Sequence, residues 1–147
     1  MKLNNKWLPW GLVVVWMGFI FSFSAQQGSD SGALSGSIVG SLINLWQTFF
    51  PSVSLDREMV HLIIRKGAHF TVYFILGLLV ANALSKSFKI SKKHFFLTIG
   101  ICFLYAISDE VHQAFVPNRG PSAWDVLLDT TGSAVATFIY AWVKRNG

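Results

Sequence analysis

Apolar positions along this chain gather into four long runs, 7–23, 61–84, 95–116 and 124–143, separated by short polar stretches. Each lies close to the ~17–25 residues that an α-helix uses to cross roughly 30 Å of hydrocarbon, so the pattern predicts four transmembrane helices. The first run follows Lys2 and Lys6 and ends in the small residues of "SFSAQQ", which is also how a secretory signal is laid out. It is longer than the ~7–15 apolar residues of such a signal and carries large aromatics almost to its end, so we read it as a retained helix. Pro9 falls in its first turn, where a missing N–H does no harm. Between the first two runs, residues 36–50 repeat Ile38, Leu42, Leu45 or Trp46 and Phe49 at helical spacing, with Ser and Gly between them. That stretch predicts a short re-entrant or interfacial helix. The fold class is therefore an all-α polytopic membrane protein, one domain over residues 1–147.

Composition points to the same solvent. Hydrophobic residues make up 52% of the chain and charged ones 13%, far from the mix of a soluble domain. The net charge of +5 does not mark a nucleic-acid binder, because the basic residues sit at the ends of apolar runs and not on one extended face. Their distribution orients the chain. With the amino terminus inside, Lys2, Lys6, Lys86, Lys89, Lys92, Lys93, Lys144 and Arg145 are cytoplasmic and only Arg57, Arg65, Lys66 and Arg119 lie outside. The positive-inside rule prefers this eight-to-four arrangement, with both termini in the cytoplasm. The start of the second span, the end of the third and the start of the fourth then meet at the extracytoplasmic face. Cys102, the single cysteine, falls inside an apolar run and reads as packing. Trp7, Trp10, Trp46, Trp124 and Trp142 suit an interfacial aromatic belt, and His61 and His94, flanking apolar runs, suit the same interface.

The polar chemistry is concentrated where those three ends meet. "SDEVHQAFVPNRGPSAWDVLLD", Ser108 to Asp129, holds four carboxylates, a histidine and an arginine between two lipid-like runs. On the second span, Lys66 and His69 are three apart and share a face, with Gly67 and Ala68 small enough to admit a close neighbour. On the third, Asp109 and Gln113 are four apart and Glu110 and Gln113 three apart, with His112 among them. On the fourth, Asp125 and Asp129 share a face, with Gly132 and Ser133 about a turn beyond. Ser122 with Asp125 three residues later has the form of a capping box. A cap would account for Asp125 but not for Asp129, a turn further in.

A carboxylate at the centre of a membrane helix costs ~2.5–3.5 kcal/mol, and four unpaired ones would approach the ~5–15 kcal/mol stability of a whole domain. They must be paired, protonated or wet. Lys66, Arg119 and Arg65 are the available cations, and His69 and His112 are adjustable. Ser22, Ser24, Gln26 and Gln27, at the same face, are further hydrogen-bond partners. The near balance of charge fits a structural staple as well as a site, and an added phosphate would require a protonated carboxylate, a charged histidine or a bridging divalent cation. The chain has no HExxH or paired-cysteine spacing, so no metal site is predicted, nor any cofactor.

Three blocks, "FSFSAQQGSDSG", "RKGAHFTVYFILG" and "SDEVHQAFVPNRGPSAWDVLLDTTG", resemble the VanZ-like membrane proteins, named for a teicoplanin-resistance accessory protein. The likeness covers nearly the whole chain, and its last block is the specific one. It implies a small multi-pass protein of the bacterial cytoplasmic membrane, with Lys66, His69, Asp109, Glu110, Gln113, Phe115, Arg119 and Asp125 at the family's positions. Asp129 joins them by its place on the Asp125 face. The expected function is binding of a membrane lipid, a lipid-linked envelope precursor or a lipoglycopeptide antibiotic at the outer face, lowering glycopeptide susceptibility. Lys66 and Arg119 would meet the head group and Phe115 the acyl part. Two alternatives stand beside it. One is an intramembrane enzyme on an envelope lipid, with Asp109, Glu110 or His112 as acid or base; the other is a protein whose charges only staple helices.

Overall fold

The structure, a computed structural model, describes residues 7–25, 28–52, 54–117 and 120–146, with backbone alone for 28–35. Five helices follow one another, and there is no strand among the described residues: α1 Trp7–Ser24, α2 Gly28–Phe49, α3 Arg57–Ser85, α4 Lys92–Gln113 and α5 Ala123–Asn146. Of these, α1, α3, α4 and α5 are long and apolar enough to span a membrane, as the four runs predict. Their ends differ from the runs for local reasons. The α3 helix begins at Arg57, ahead of its apolar run, because the Asp56 carboxylate accepts the Glu58 N–H at 3.0 Å and caps it. The α4 helix begins behind a Ser91 cap and stops at Gln113, where Phe115 N–H and Val116 N–H turn back to the carbonyls of His112 and Gln113 in tightened i→i+3 bonds.

The central helix is α3, which touches all four others; α5 packs on α3 and α4, and α1 on α3 and α4. Pairings along their length fix the directions. Lys66 meets Asp125, His69 meets Asp129, and Asn82 and Ser85 meet Tyr140, so α3 and α5 run parallel. Trp16 Nε1–H donates to the Val72 carbonyl at 2.9 Å, Tyr105 O–H to the Met17 carbonyl at 2.6 Å, and Gln113 Nε2–H to Ser24 Oγ at 3.3 Å. Hence α1 and α4 run parallel to each other and antiparallel to the α3–α5 pair. The α3–α5 seam is tight because it is built on glycine: a Cβ on Gly77 would stand 2.7 Å from the Ser133 carbonyl oxygen, and one on Gly132 2.6 Å from that of Phe70. Gly67 and Ala68, expected at a helix contact, are instead exposed, with nothing within 4 Å of a Cβ added at Gly67.

Polarity is arranged for a lipid solvent. Tyr73, Leu76, Val80, Cys102 and Ala106 form the buried core together with Val13 and Ile20 of α1, while Phe19, Phe96, Leu104, Phe138 and many other large apolar side chains face outwards. Buried positions also include Asp109, Gln113, Asp125, Asp129, Ser133 and Thr137, the reverse of a soluble bundle. His94, expected at the interface, is buried: its Nε2–H donates to the Ala81 carbonyl at 2.9 Å and its ring stacks near Tyr140.

The stretch between the first two spans is helical, and α2 is longer than expected. It is one unbroken helix of 22 residues that touches only α3 among the other helices. The end of α1 and the start of α3 lie at the same end of the bundle, so the chain leaves and returns on one side. The residues turned to α3 are Gly36, Val39, Gly40 and Ile43; the predicted stripe of Ile38, Leu42, Leu45 and Phe49 stays exposed.

Candidate functional site

At the end of the bundle where α1 and α4 finish and α3 and α5 begin, four helices contribute polar side chains to one cluster. On α3, Lys66, His69 and Tyr73 follow at spacings of three and four and so form a single stripe. That stripe faces the Asp125 and Asp129 stripe of α5. The Lys66 ammonium donates to Asp125 Oδ1, and His69 Nδ1 lies 3.4 Å from Asp129 Oδ2. Both aspartates are almost fully buried, whereas the Lys66 side chain keeps 33% of its surface exposed. Lys66 is therefore the open member of the cluster.

The α4 carboxylates are held differently. Asp109 Oδ2 accepts from the Gln113 amide at 3.2 Å, one helical turn away, and the same Nε2 also reaches Ser24 of α1. Glu110 Oε1 accepts the backbone N–H of Ser122, the residue just before α5. This replaces the capping box read from the sequence. In a capping box the side chain at the third position would take that N–H, but Asp125 is turned to Lys66 and a carboxylate from a neighbouring helix fills the place. Glu110 thus ties the end of α4 to the start of α5.

His112, with its ring 4.2 Å from that of Phe21, stacks on α1. The three residues considered for acid or base chemistry are therefore drawn to different partners: Asp109 to Gln113, Glu110 to a backbone amide and His112 to an aromatic face. They do not converge on a common open point. Phe115 is 82% exposed just past α4, and Trp124 is exposed at the start of α5. Arg119, with Asn118, lies outside the described residues, as do Gln26 and Gln27. Of the serines expected to help, Ser24 joins the cluster and Ser22 donates to its own helix at Gly18.

One member was not among the expected residues. Tyr73 is completely buried, its hydroxyl has no hydrogen-bond partner among the described residues, and it lies within electrostatic reach of both Asp109 and Asp129. Its signal in the sequence was helical spacing: it continues the Lys66–His69 stripe by one turn.

Among the described residues no group of three or more His, Cys, Asp or Glu side chains is placed to hold a metal ion. Read as a whole, the cluster is a set of cross-helix pairs, buried towards the core and open at one lysine, with exposed aromatics at its rim. No curated protein and no solved structure matches the chain. The model of one family does, over residues 10–144, nearly the whole chain and every member of the cluster, and by that match the chain belongs to the VanZ/LLP1 family.

Proposed function

We propose that this protein binds the polar head of a membrane amphiphile at the outer face of the bacterial cytoplasmic membrane, the ligand being a lipid-linked envelope component or a lipoglycopeptide. Family membership fits a role in teicoplanin resistance. The observation that carries the reading is Lys66: a cation paired to a buried carboxylate, a third exposed, at the end of the bundle that also presents Phe115 and Trp124. An anionic head group can share the ammonium while Asp125 holds it in place, and the aromatics suit the boundary between head group and acyl chain. The eight-to-four basic asymmetry supports placing this end outside.

In this reading α2 lies along the same interface. Its Ser37, Ser41, Asn44 and Thr48 form a polar stripe about a quarter turn around the helix from the exposed Ile38, Leu42, Leu45 and Phe49, so water and lipid can each take one flank while the Gly36–Val39 face meets α3. Acid or base turnover lacks a convergent pair, so binding is preferred to chemistry. A second reading has its own observation. Lys66–Asp125 and His69–Asp129 both join α3 to α5, so the pairs also staple the bundle that presents the site.

Native mass spectrometry of protein extracted gently from bacterial membranes tests the binding. Wild type should retain one amphiphile with an anionic head, and Lys66→Gln should lose it, with affinity about ten- to a hundredfold lower, the value of a charge-assisted hydrogen bond. A bare wild-type protein, or equal retention by the variant, would overturn the proposal.

A further inference from the structure

The far end of the bundle, where α3 and α5 finish and α4 begins, carries no Asp or Glu side chain. All seven acids of the chain belong to the other end: Asp30 at the start of α2, Asp56 and Glu58 at that of α3, Asp109 and Glu110 at the finish of α4, and Asp125 and Asp129 in the first two turns of α5. The far end instead gathers Lys86 and Lys89 in the connection 86–91, Lys92 and Lys93 in the first turn of α4, and Lys144 and Arg145 in the last turn of α5. All six are exposed, and none has an ion pair among the described residues. The charge is also set against the backbone. The amino end of a helix is its positive pole, yet the first turn of α4 holds two lysines and no acid. Cations gathered in this way repel one another, and no Asp or Glu side chain is there to offset them.

A separate observation says which anion fits. Phe88 and Ile90 stand among the lysines of the connection, 49% and 39% exposed, and Phe96 and Trp142 are exposed within about a turn of the cations on α4 and α5. The connection is short and opens as a tight turn, with the N–H groups of Ser87 and Phe88 both returning to the Leu84 carbonyl at 3.0 and 2.8 Å. Its side chains therefore stay at the ends of two spans, at the depth of the head groups, where lipid phosphate is the abundant anion. A free anion would satisfy the lysines alone. A layer of phosphates above acyl chains satisfies both sets, with ammonium on phosphate and the rings at the acyl boundary. We infer that this end is a binding surface for anionic phospholipid, with head groups of the phosphatidylglycerol class held by Lys86, Lys89, Lys92 and Lys93. It lies at the opposite end of the spans from Lys66 and stands independently of what the outer face binds.

The test is native mass spectrometry of the full chain released from nanodiscs of equal phosphatidylglycerol and phosphatidylcholine, with wild type and Lys66→Gln measured side by side. Both proteins should retain phosphatidylglycerol in excess. The excess should fall about fivefold in Lys89→Gln, the effect of one basic residue near a charged surface. It should vanish when Lys86→Gln, Lys89→Gln, Lys92→Gln and Lys93→Gln are combined. Inorganic phosphate replacing chloride at equal ionic strength should leave the lipid in place; displacement would make this a free-anion site and overturn the assignment. Equal retention of the two lipids by wild type would overturn the surface, as would an excess that the fourfold variant keeps. An excess removed by Lys66→Gln alone would also overturn it while leaving the outer-face reading standing. The single exchange at Lys89, an exposed side chain, keeps the comparison if the fourfold variant fails to fold.

Discussion

Single residues in this bundle act through the partner they are given. Removing Lys66 leaves Asp125 buried without its cation, a change that costs ~3–5 kcal/mol for a fully buried pair and about half of that here, because the lysine is partly in solvent. Lys66→Ala should therefore lower thermal stability, and Lys66→Ala combined with Asp125→Ala should recover part of the loss. Additive losses in that double-mutant cycle would show that the pair is not coupled. Glu110→Gln is a contrasting case. The amide can still accept the Ser122 N–H, so the fold should lose only the charged part of one bond, ~1–2 kcal/mol, while Glu110→Ala strands a helix-start donor and should cost more. Equal losses in denaturation of the two variants would argue against the α4–α5 tie.

These partnerships were only partly legible in the sequence. The Lys66–His69 and Asp125–Asp129 stripes follow from helical spacing alone. Which stripe faces which does not, because the facing depends on how two helices rotate about their seam. Glu110 and Asp125 illustrate the gap: a local motif assigned a cap to Asp125 that a residue twelve positions before Ser122 supplies.

At the scale of elements, four of the helices could be read with their limits near the observed ones because lipid imposes length and apolarity on each. Caps and seams were harder. Gly67 looked like a contact glycine by its neighbours, yet the close approach is made at Gly77 and at Gly132, which lies about a turn beyond the Asp125–Asp129 face. The consequence is testable. Gly132→Leu would drive a side chain into the Phe70 carbonyl and should force α3 and α5 apart, with a loss of ~3 kcal/mol or more. The same change at Gly67 should be nearly neutral in a detergent stability assay. Comparable damage at both positions would show that the seam runs elsewhere. The α2 helix shows the same difficulty. Its strongest apolar stripe turns to the surroundings, while the plainer Gly36–Val39–Gly40–Ile43 stripe makes the contact, since small residues let helices approach and lipid takes the large ones.

For the whole molecule, the end bearing the cluster should face outwards. On a background with Cys102 replaced by Ala, a cysteine at Phe115 should react with a membrane-impermeant thiol reagent added outside, and a cysteine at Ser87 only after the membrane is opened. Both positions are exposed in the fold and sit at opposite ends of α4. Reversed labelling would place the cluster in the cytoplasm and remove the outer-face function, though the family and the fold would stand.

The parallel course of α3 and α5 has a consequence in time. Lys66 precedes Asp125 by 59 residues and His69 precedes Asp129 by 60, with the whole of α4 between them. At about 5–20 residues per second, the ribosome needs roughly 3–12 s to deliver the partners after the α3 charges have been made. During that interval α3 carries a lysine and a histidine near the membrane surface without the two aspartates they pair with. A chain ended at Pro121, before α5, would remain in that state permanently. Such a chain should insert poorly or be degraded rapidly in pulse-chase labelling, and Lys66→Leu with His69→Leu in the truncated chain should prolong its life. The nascent protein thus waits on α5 before the charges of α3 are at rest.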